Sequence, residues 1–419
     1  MKLIFHGGVK EVGKLCIEVD TKSSRFLLDC GVKLGTETEY PNVPKNPKQI
    51  DAAIISHAHL DHCAGLPYMN SKGLNCPIFL TQHSKEIAKI LIKDFFHVES
   101  LTGIPEYKRE NLINVFNQMK GKDFIHRFKI RDADFQFFDA GHIPGSAIIV
   151  VEADGKRLAF TGDINTTDTQ LMKGASLDIG EVDVLISETT YGDREHPDRK
   201  QTEKEFLAKV REVIRRGGTV FVPVFGVGRA QEILLLLNKE KWNVPIYLDG
   251  MAQEVTDLII QQNSCKNQRA LIDAKNNTNY IEGRENREKA VRKQGIFITT
   301  SGMLSGGPIM DYLKFGYQNP KNAFLLTGYV IEGTNGRLLL DEGSVFLEGK
   351  KINVKAEYVQ FDFSAHSGMS ELKRIIQKLN PRKLILLHGS ENSIKNIANE
   401  EKKKNRDVFT PNIGDEIYI

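Results

Sequence analysis

The sequence is short of cysteine, and its cysteines form no pattern. Cys16, Cys30, Cys63, Cys76 and Cys265 are odd in number and contain no C-x-x-C pair. This argues against a disulfide-built scaffold and fits reduced thiols in a cytoplasm. Long apolar runs are missing as well. None approaches the roughly 18 residues needed to span a bilayer, and the start MKLIFHGGVKEVGK lacks an apolar core followed by a small-residue cleavage site. Neither a membrane span nor a secretory signal is expected. No charge sign dominates: 57 Lys and Arg against 54 Asp and Glu give +3, which permits an anionic partner without arguing for one. There is no internal repeat and no low-complexity tract. At 419 residues, 40% hydrophobic and 26% charged, the chain is a globular protein of two ordinary domains or one elaborated domain. The charge run Glu401–Lys404 is expected to be a solvated helix end.

Histidine is scarce too, 11 in all, yet three fall within the six residues His57–His62 of SHAHLDHCAG. The pattern H-x-H-x-D-H arises by chance on the order of once in a few thousand chains. It follows an apolar strand, DAAIISHAHL, and alternation along an extended backbone is expected to point His57, His59 and Asp61 to one side. His62 comes next, near the start of a helix. Imidazole and carboxylate are the ligands that zinc takes. Cys63 adjoins them but reads as a packing residue. Three further residues close apolar strands and enter glycine-containing loops: His142 in DAGHIPGSA, Asp163 in AFTGDIN and His388 in KLILLHG. Alone, each would be an ordinary structural residue, but strand-end loops are where catalytic groups gather. One catalytic zinc uses about three protein ligands. Seven candidates therefore point to two metals with a carboxylate between them.

The rest of the chain changes grammar after Gly192. Before it, short strands (KLIFHGG, KLCIEVD, RFLLDCG) surround a helical stretch over 83–120 and lead to VDVLISETTYG. After it, an amphipathic helix stopped by Gly217 and Gly218 precedes a buried strand, TVFVPVFG, and further strands alternate with helices. That alternation predicts a parallel sheet covered on both faces. A strand from about 356, a helix over 369–379 and the strand KLILLHGS close the chain.

H-x-H-x-D-H with the later His and Asp resembles the metallo-β-lactamase superfamily. Glu188 in ISETTYG, His366 in FSAHSG and His388 in LLHG resemble the three extra motifs of its β-CASP nucleases, and PVFGVGRAQE and GYVIEGTNGR resemble segments of the inserted β-CASP domain. The likeness covers essentially the whole chain and looks closest to the archaeal relatives of the polyadenylation-factor endonuclease and to ribonuclease J. With a first metal-domain strand at Lys2, the KH domains of some archaeal members are not expected. The resemblance implies an α/β fold, a four-layer αβ/βα sandwich over 1–192 and 356–419 interrupted by a β-CASP domain over 193–355. It implies two zinc ions, one held by His57, His59 and His142, the other by Asp61, His62 and His388, with Asp163 bridging and Asp29 orienting the ligands from behind. A plain turn-closing role for Asp29, beside Gly31, is the alternative.

The activity implied is hydrolysis of phosphodiester bonds in single-stranded RNA, as endonuclease or 5′-to-3′ exonuclease, by a metal-activated hydroxide. Asp61 belongs to this catalytic set. His366 would act on the phosphate or the leaving 3′-oxygen, and Glu188 would orient it. Arg229 and Arg337 are candidates for RNA backbone contacts; tight strand-to-helix packing and an interface ion pair are their plainer readings. Tyr191, Phe225, Tyr329 and Phe361 could stack on bases, although aromatics in such runs are more often core. A homodimer in the cytoplasm is expected by family likeness. The competing readings are a DNA nuclease of the cross-link-repair type and a non-catalytic RNA-binding scaffold. All seven ligands are present, against the scaffold, and the likeness associates a histidine at position 388 with RNA.

Overall fold

A computed structural model describes residues 1–35 and 37–419. Two compact units divide them. The first comprises Met1–Asp168, Lys173–Glu195 and Ala365–Ile419; the second comprises Thr169–Met172 and His196–Ser364.

The first unit is built on two seven-stranded sheets. One runs in the order Glu416–Tyr418, Lys2–Gly7, Cys16–Asp20, Arg25–Leu28, Ala52–Ile54, Ile78–Thr81, Met119–Lys122. The other runs Asp407–Phe409, Lys383–Leu387, Val184–Glu188, Lys156–Phe160, Ala147–Ala153, Ala133–Asp139, Phe128–Ile130. Alternation along the strands sends one face of each sheet inward. Phe5, Ile17, Phe26 and Ile54 of the first sheet share a core with Phe135, Ile149, Phe160 and Leu387 of the second. The outer face of the second sheet is covered by the helices Met369–Leu379 and Glu391–Lys403. Helices Gln82–Thr102 and Arg109–Gln118 lie in the chain between strands of the first sheet. The result is the αβ/βα sandwich. The helical stretch expected to reach residue 120 stops at Gln118, because Met119 enters parallel pairing opposite Ile78.

The helix Met369–Leu379 anchors the segment that returns to this unit. Leu372, Ile375, Ile376 and Leu379, spaced for one helical face, are all buried. Each such side chain contributes roughly 1.5–3 kcal/mol. His366 precedes this helix and His388 follows the next strand, so the packing of four apolar residues positions two of the candidate histidines. Among the described residues no helix is long and apolar enough to cross a membrane.

The second unit carries a six-stranded sheet in the order Thr278–Ile281, Ile246–Asp249, Ile296–Thr299, Val220–Pro223, Ala323–Leu326, Glu357–Gln360, parallel throughout. Its leading helix, Arg199–Arg215, is capped by Asp198, which accepts from the Gln201 N–H, and stops before Gly217 at φ 78°. The boundary expected after residue 355 falls at Ser364 instead, because Glu357–Gln360 pairs with Ala323–Leu326 and so stays in this unit. Within the run Glu401–Lys404, Lys402, Lys403 and Lys404 are exposed as expected. Glu401 is not: it is buried and takes the Arg406 guanidinium at 3.0 Å.

Candidate metal centre

The strand Ala52–Ile54 ends two residues before Ser56, and the chain then bends through Ser56 and Ala58 to His59, whose φ/ψ of −62°/150° opens the four-residue helix Leu60–Cys63. This turn splits the quartet. His57 and His59 point one way. Asp61, now in a helix, joins His62 in a second group, so the simple alternation expected of an extended backbone ends at His59.

The first group gathers His57, His59 and His142 around Asp163. His59 Nδ1 lies 3.1 Å from His57 Nε2 and 3.0 Å from His142 Nε2. Asp163 Oδ2 is 3.5 Å from the His57 nitrogen and 3.6 Å from that of His142. The second group is Asp61, His62 and His388. His388 Nε2 lies 3.4 Å from Asp61 Oδ2, and His62 Nε2 lies 3.7 Å from the same oxygen. Asp163 Oδ1 faces this second group, 3.3 Å from His62 Nε2 and 3.3 Å from His388 Nδ1. One carboxylate thus offers an oxygen to each group.

The donor set fits divalent cations. Burial holds His57 and His142 well below the usual imidazole range, and it brings His59 down to about 4 against the pull of Asp61 and Asp163, which favours the neutral imidazole that ligates a cation. Asp61 and Asp163 stay ionised: burial opposes their charge, but His62 and His388 outweigh it. His62 is pushed up despite burial because Asp163, Asp61 and Asp29 surround it, which marks a place where positive charge is stabilised. Two buried atoms, His62 Nε2 and Asp163 Oδ1, have no hydrogen-bond partner among the described residues. Orphans of that kind are costly without a ligand.

Hydrogen bonds from behind fix the rings. Asp29, fully buried, accepts from His62 Nδ1 at 2.7 Å, from Ser56 Oγ at 2.7 Å and from the Ser56 N–H at 2.6 Å. His142 Nδ1 donates to the Ala365 carbonyl at 2.7 Å. Each bond leaves Nε2 aimed at the centre. Ser56 and the Ala365 carbonyl were not legible in the sequence: one is a serine among strand residues, the other a backbone group from 223 positions away. Cys63 belongs to neither group and donates to the Ala58 carbonyl at 3.2 Å.

His366 sits beside both groups. Its Nδ1 lies 3.0 Å from each Glu188 oxygen, and its Nε2 lies 3.9 Å from Asp163 Oδ2. Burial opposes its charge, but Glu188 and Asp163 outweigh it and raise its pKa to about 9. Glu188 also accepts the Ile164 N–H at 2.7 Å, tying the loop of Asp163 to the same carboxylate. Arg229 and Arg337 lie in the second unit. Arg229 opens the helix Arg229–Leu237 beside Gly328, and Arg337 pairs with Asp341 one turn along its own helix at 2.7 Å.

Close packing holds the Asp29–Gly31 loop against the turn that carries Asp61 and His62. A Cβ at Gly31 would lie 1.7 Å from the Asp61 carbonyl oxygen and 2.5 Å from the His62 nitrogen. Gly31→Ala is therefore expected to destabilise the fold by about 2–3 kcal/mol and to lower metal affinity. Denaturant titration and metal analysis would check both; wild-type values in the variant would refute the constraint.

Three family models match. A Beta-Casp domain matches residues 230–339, a Zn-dependent metallo-hydrolase RNA specificity domain matches 351–411, and a Beta-lactamase superfamily domain matches 24–215. Probable RNase MJ4 of Methanocaldococcus jannaschii is 42% identical over 100% of both chains. RNase aCSPSF2 of Saccharolobus solfataricus is 37% identical, covering 99% of this chain and 84% of its own length. Among solved structures, a protein of unknown function from Enterococcus faecalis V583 superposes with a TM-score of 0.62 at 15% identity, covering 100% of this chain and 99% of its own, a likeness of fold alone.

Proposed function

We propose, for a chain that belongs to the β-CASP family of the metallo-β-lactamase superfamily, the activity of a zinc-dependent ribonuclease acting on single-stranded RNA. The observation that carries this reading is Asp163, buried and offering one oxygen to each of two ligand groups. The names of the relatives and of the RNA specificity domain support the substrate.

Zinc at the two groups would supply positive charge for the phosphate and acidity for an attacking water. His57, His59 and His142 would hold one ion, Asp61, His62 and His388 the other, and Asp163 both. Asp29 would keep His62 in the tautomer that presents Nε2. His366 stands beside the ligands with Nδ1 committed to Glu188, which leaves Nε2 to neutralise the phosphate or hand a proton to the leaving 3′-oxygen. The products would be a 5′-phosphate and a 3′-hydroxyl. We place the protein in the cytoplasm as a homodimer, a state that sedimentation would test. Its cysteines are free.

The test is incubation of the zinc-loaded chain with labelled single-stranded RNA, single-stranded DNA, blunt duplex RNA and a chromogenic lactam. His57 and His62 are wholly buried and Asp163 nearly so, so the phosphate has to be carried in on a flexible strand. Single-stranded RNA is expected to be cut at least about tenfold faster than a stiff A-form duplex, with binding that weakens steeply with salt. Preference for DNA, turnover of the lactam alone, or RNA binding without cleavage would each replace this reading with another.

A further inference from the structure

We propose that Phe225 and Tyr329 form a stacking platform for unpaired bases at the carboxyl edge of the parallel sheet, an inference that rests on single-stranded RNA as the substrate. The strands Val220–Pro223 and Ala323–Leu326 are hydrogen-bonded neighbours, with Phe221 opposite Phe324. Phe225 and Tyr329 sit in the loops that leave these two strands at the same end. The carboxyl edge of an open parallel sheet is where phosphate-bearing ligands bind, because successive loops diverge there.

Exposure separates these two rings from the other aromatics of similar sequence position. Tyr191 and Phe361 are 3% and 7% exposed and belong to the interior. Phe225 and Tyr329 are 44% and 51% exposed. The core beneath is filled without them, by Phe221, Phe297 and Phe324. Two large rings left in water on adjacent loops gain nothing for the fold and suit a ligand with a flat face.

The loops that carry them are braced. Thr327 Oγ1 donates to the Pro223 carbonyl at 3.3 Å, joining the bases of the two loops. The Ile331 N–H donates to Met303 Sδ at 3.4 Å, and the Gly336 N–H to the Met303 carbonyl at 2.9 Å, joining the Tyr329 loop to a third. That third loop meets Phe225 at Gly302, where a Cβ would lie 3.3 Å from the Phe225 nitrogen. Rings on braced loops lose little freedom when a base stacks on them. Arg229, with its guanidinium against Gly328, adds positive charge between the two loops for the backbone that links stacked bases.

The experiment scans a labelled single-stranded RNA with one abasic position at a time, bound to the zinc-loaded wild type and to Phe225→Leu, Tyr329→Leu and Tyr329→Phe. The wild type is expected to lose roughly tenfold in affinity at one or two positions. Each leucine variant should bind intact RNA weaker by a similar factor and show no further loss at one of those positions, and Tyr329→Phe should restore the sensitivity there. A wild type indifferent to every abasic position would overturn the platform. So would leucine variants that bind all RNAs more weakly while keeping the full abasic pattern, the mark of a merely structural role. A wild type that neither binds nor cuts RNA would instead overturn the substrate reading, and the platform with it.

Discussion

Asp163→Ala is expected to empty the site of metal and to lower RNA cleavage by at least about 10³-fold, the several kcal/mol that a metal's charge stabilisation supplies. The two oxygens of this carboxylate face different groups. Oδ2 faces His57 and His142, and Oδ1 faces His62 and His388. Removing it would take a proposed ligand from each group at once and leave the two cations proposed there to repel one another. Loss at one group would therefore weaken the other, unlike substitution of a ligand confined to one. Metal content after dialysis and the rate on single-stranded RNA decide the matter, with His142→Ala as the one-sided comparison. An Asp163→Ala protein that keeps both ions would show that this residue bridges nothing.

His366→Ala should divide what Asp163→Ala joins. The seven proposed ligands would satisfy two ions without His366, so the variant is expected to retain its metal and its affinity for RNA while cleavage falls by about 10²-fold or more, the usual loss for a missing general acid. Glu188→Gln should give a milder form of the same defect. It keeps an oxygen for the Ile164 N–H but no longer holds the His366 imidazole through a full carboxylate charge. The geometry allows a contrary result to be recognised. Asp163, Glu188 and His366 are themselves close enough to hold an ion. Loss of metal from His366→Ala would make it a ligand and reverse the division of roles.

Much of this centre could be read from the chain because its chemistry is concentrated. Three histidines and an aspartate in six residues announce a metal, and His142, Asp163 and His388 each close an apolar strand, a position that sequence patterns reveal. The sandwich was likewise legible through the family likeness. Contacts made by common groups were not. Ser56 fixes Asp29 through its hydroxyl and its N–H, yet a serine after an apolar strand carries no signal of its own. The Ala365 carbonyl that orients His142 has no side chain to betray it. Glu401 misled for the opposite reason: it begins a run of lysines that is solvated, while its own carboxylate is drawn inward by Arg406. The strand Glu357–Gln360 is half-exposed and polar, and only its parallel neighbour assigns it to the second unit.

The strand Lys383–Leu387 lies inside the second sheet, between Val184–Glu188 and Asp407–Phe409, and delivers His388. This has a consequence for the protein's birth. A ribosome adding 5–20 residues per second needs roughly 20–80 s to reach that histidine. From residue 163 until residue 388 the nascent chain carries six of the seven proposed ligands but lacks the strand that completes the second group, and the sheet has a gap where that strand belongs. The growing polypeptide is held beside the messenger that encodes it, a single-stranded RNA at very high local concentration. On the proposed ligand set the last ligand arrives with a late strand, so cutting power would be withheld until most of the chain has been made, and a product of premature termination before residue 388 would be harmless to the transcript it came from.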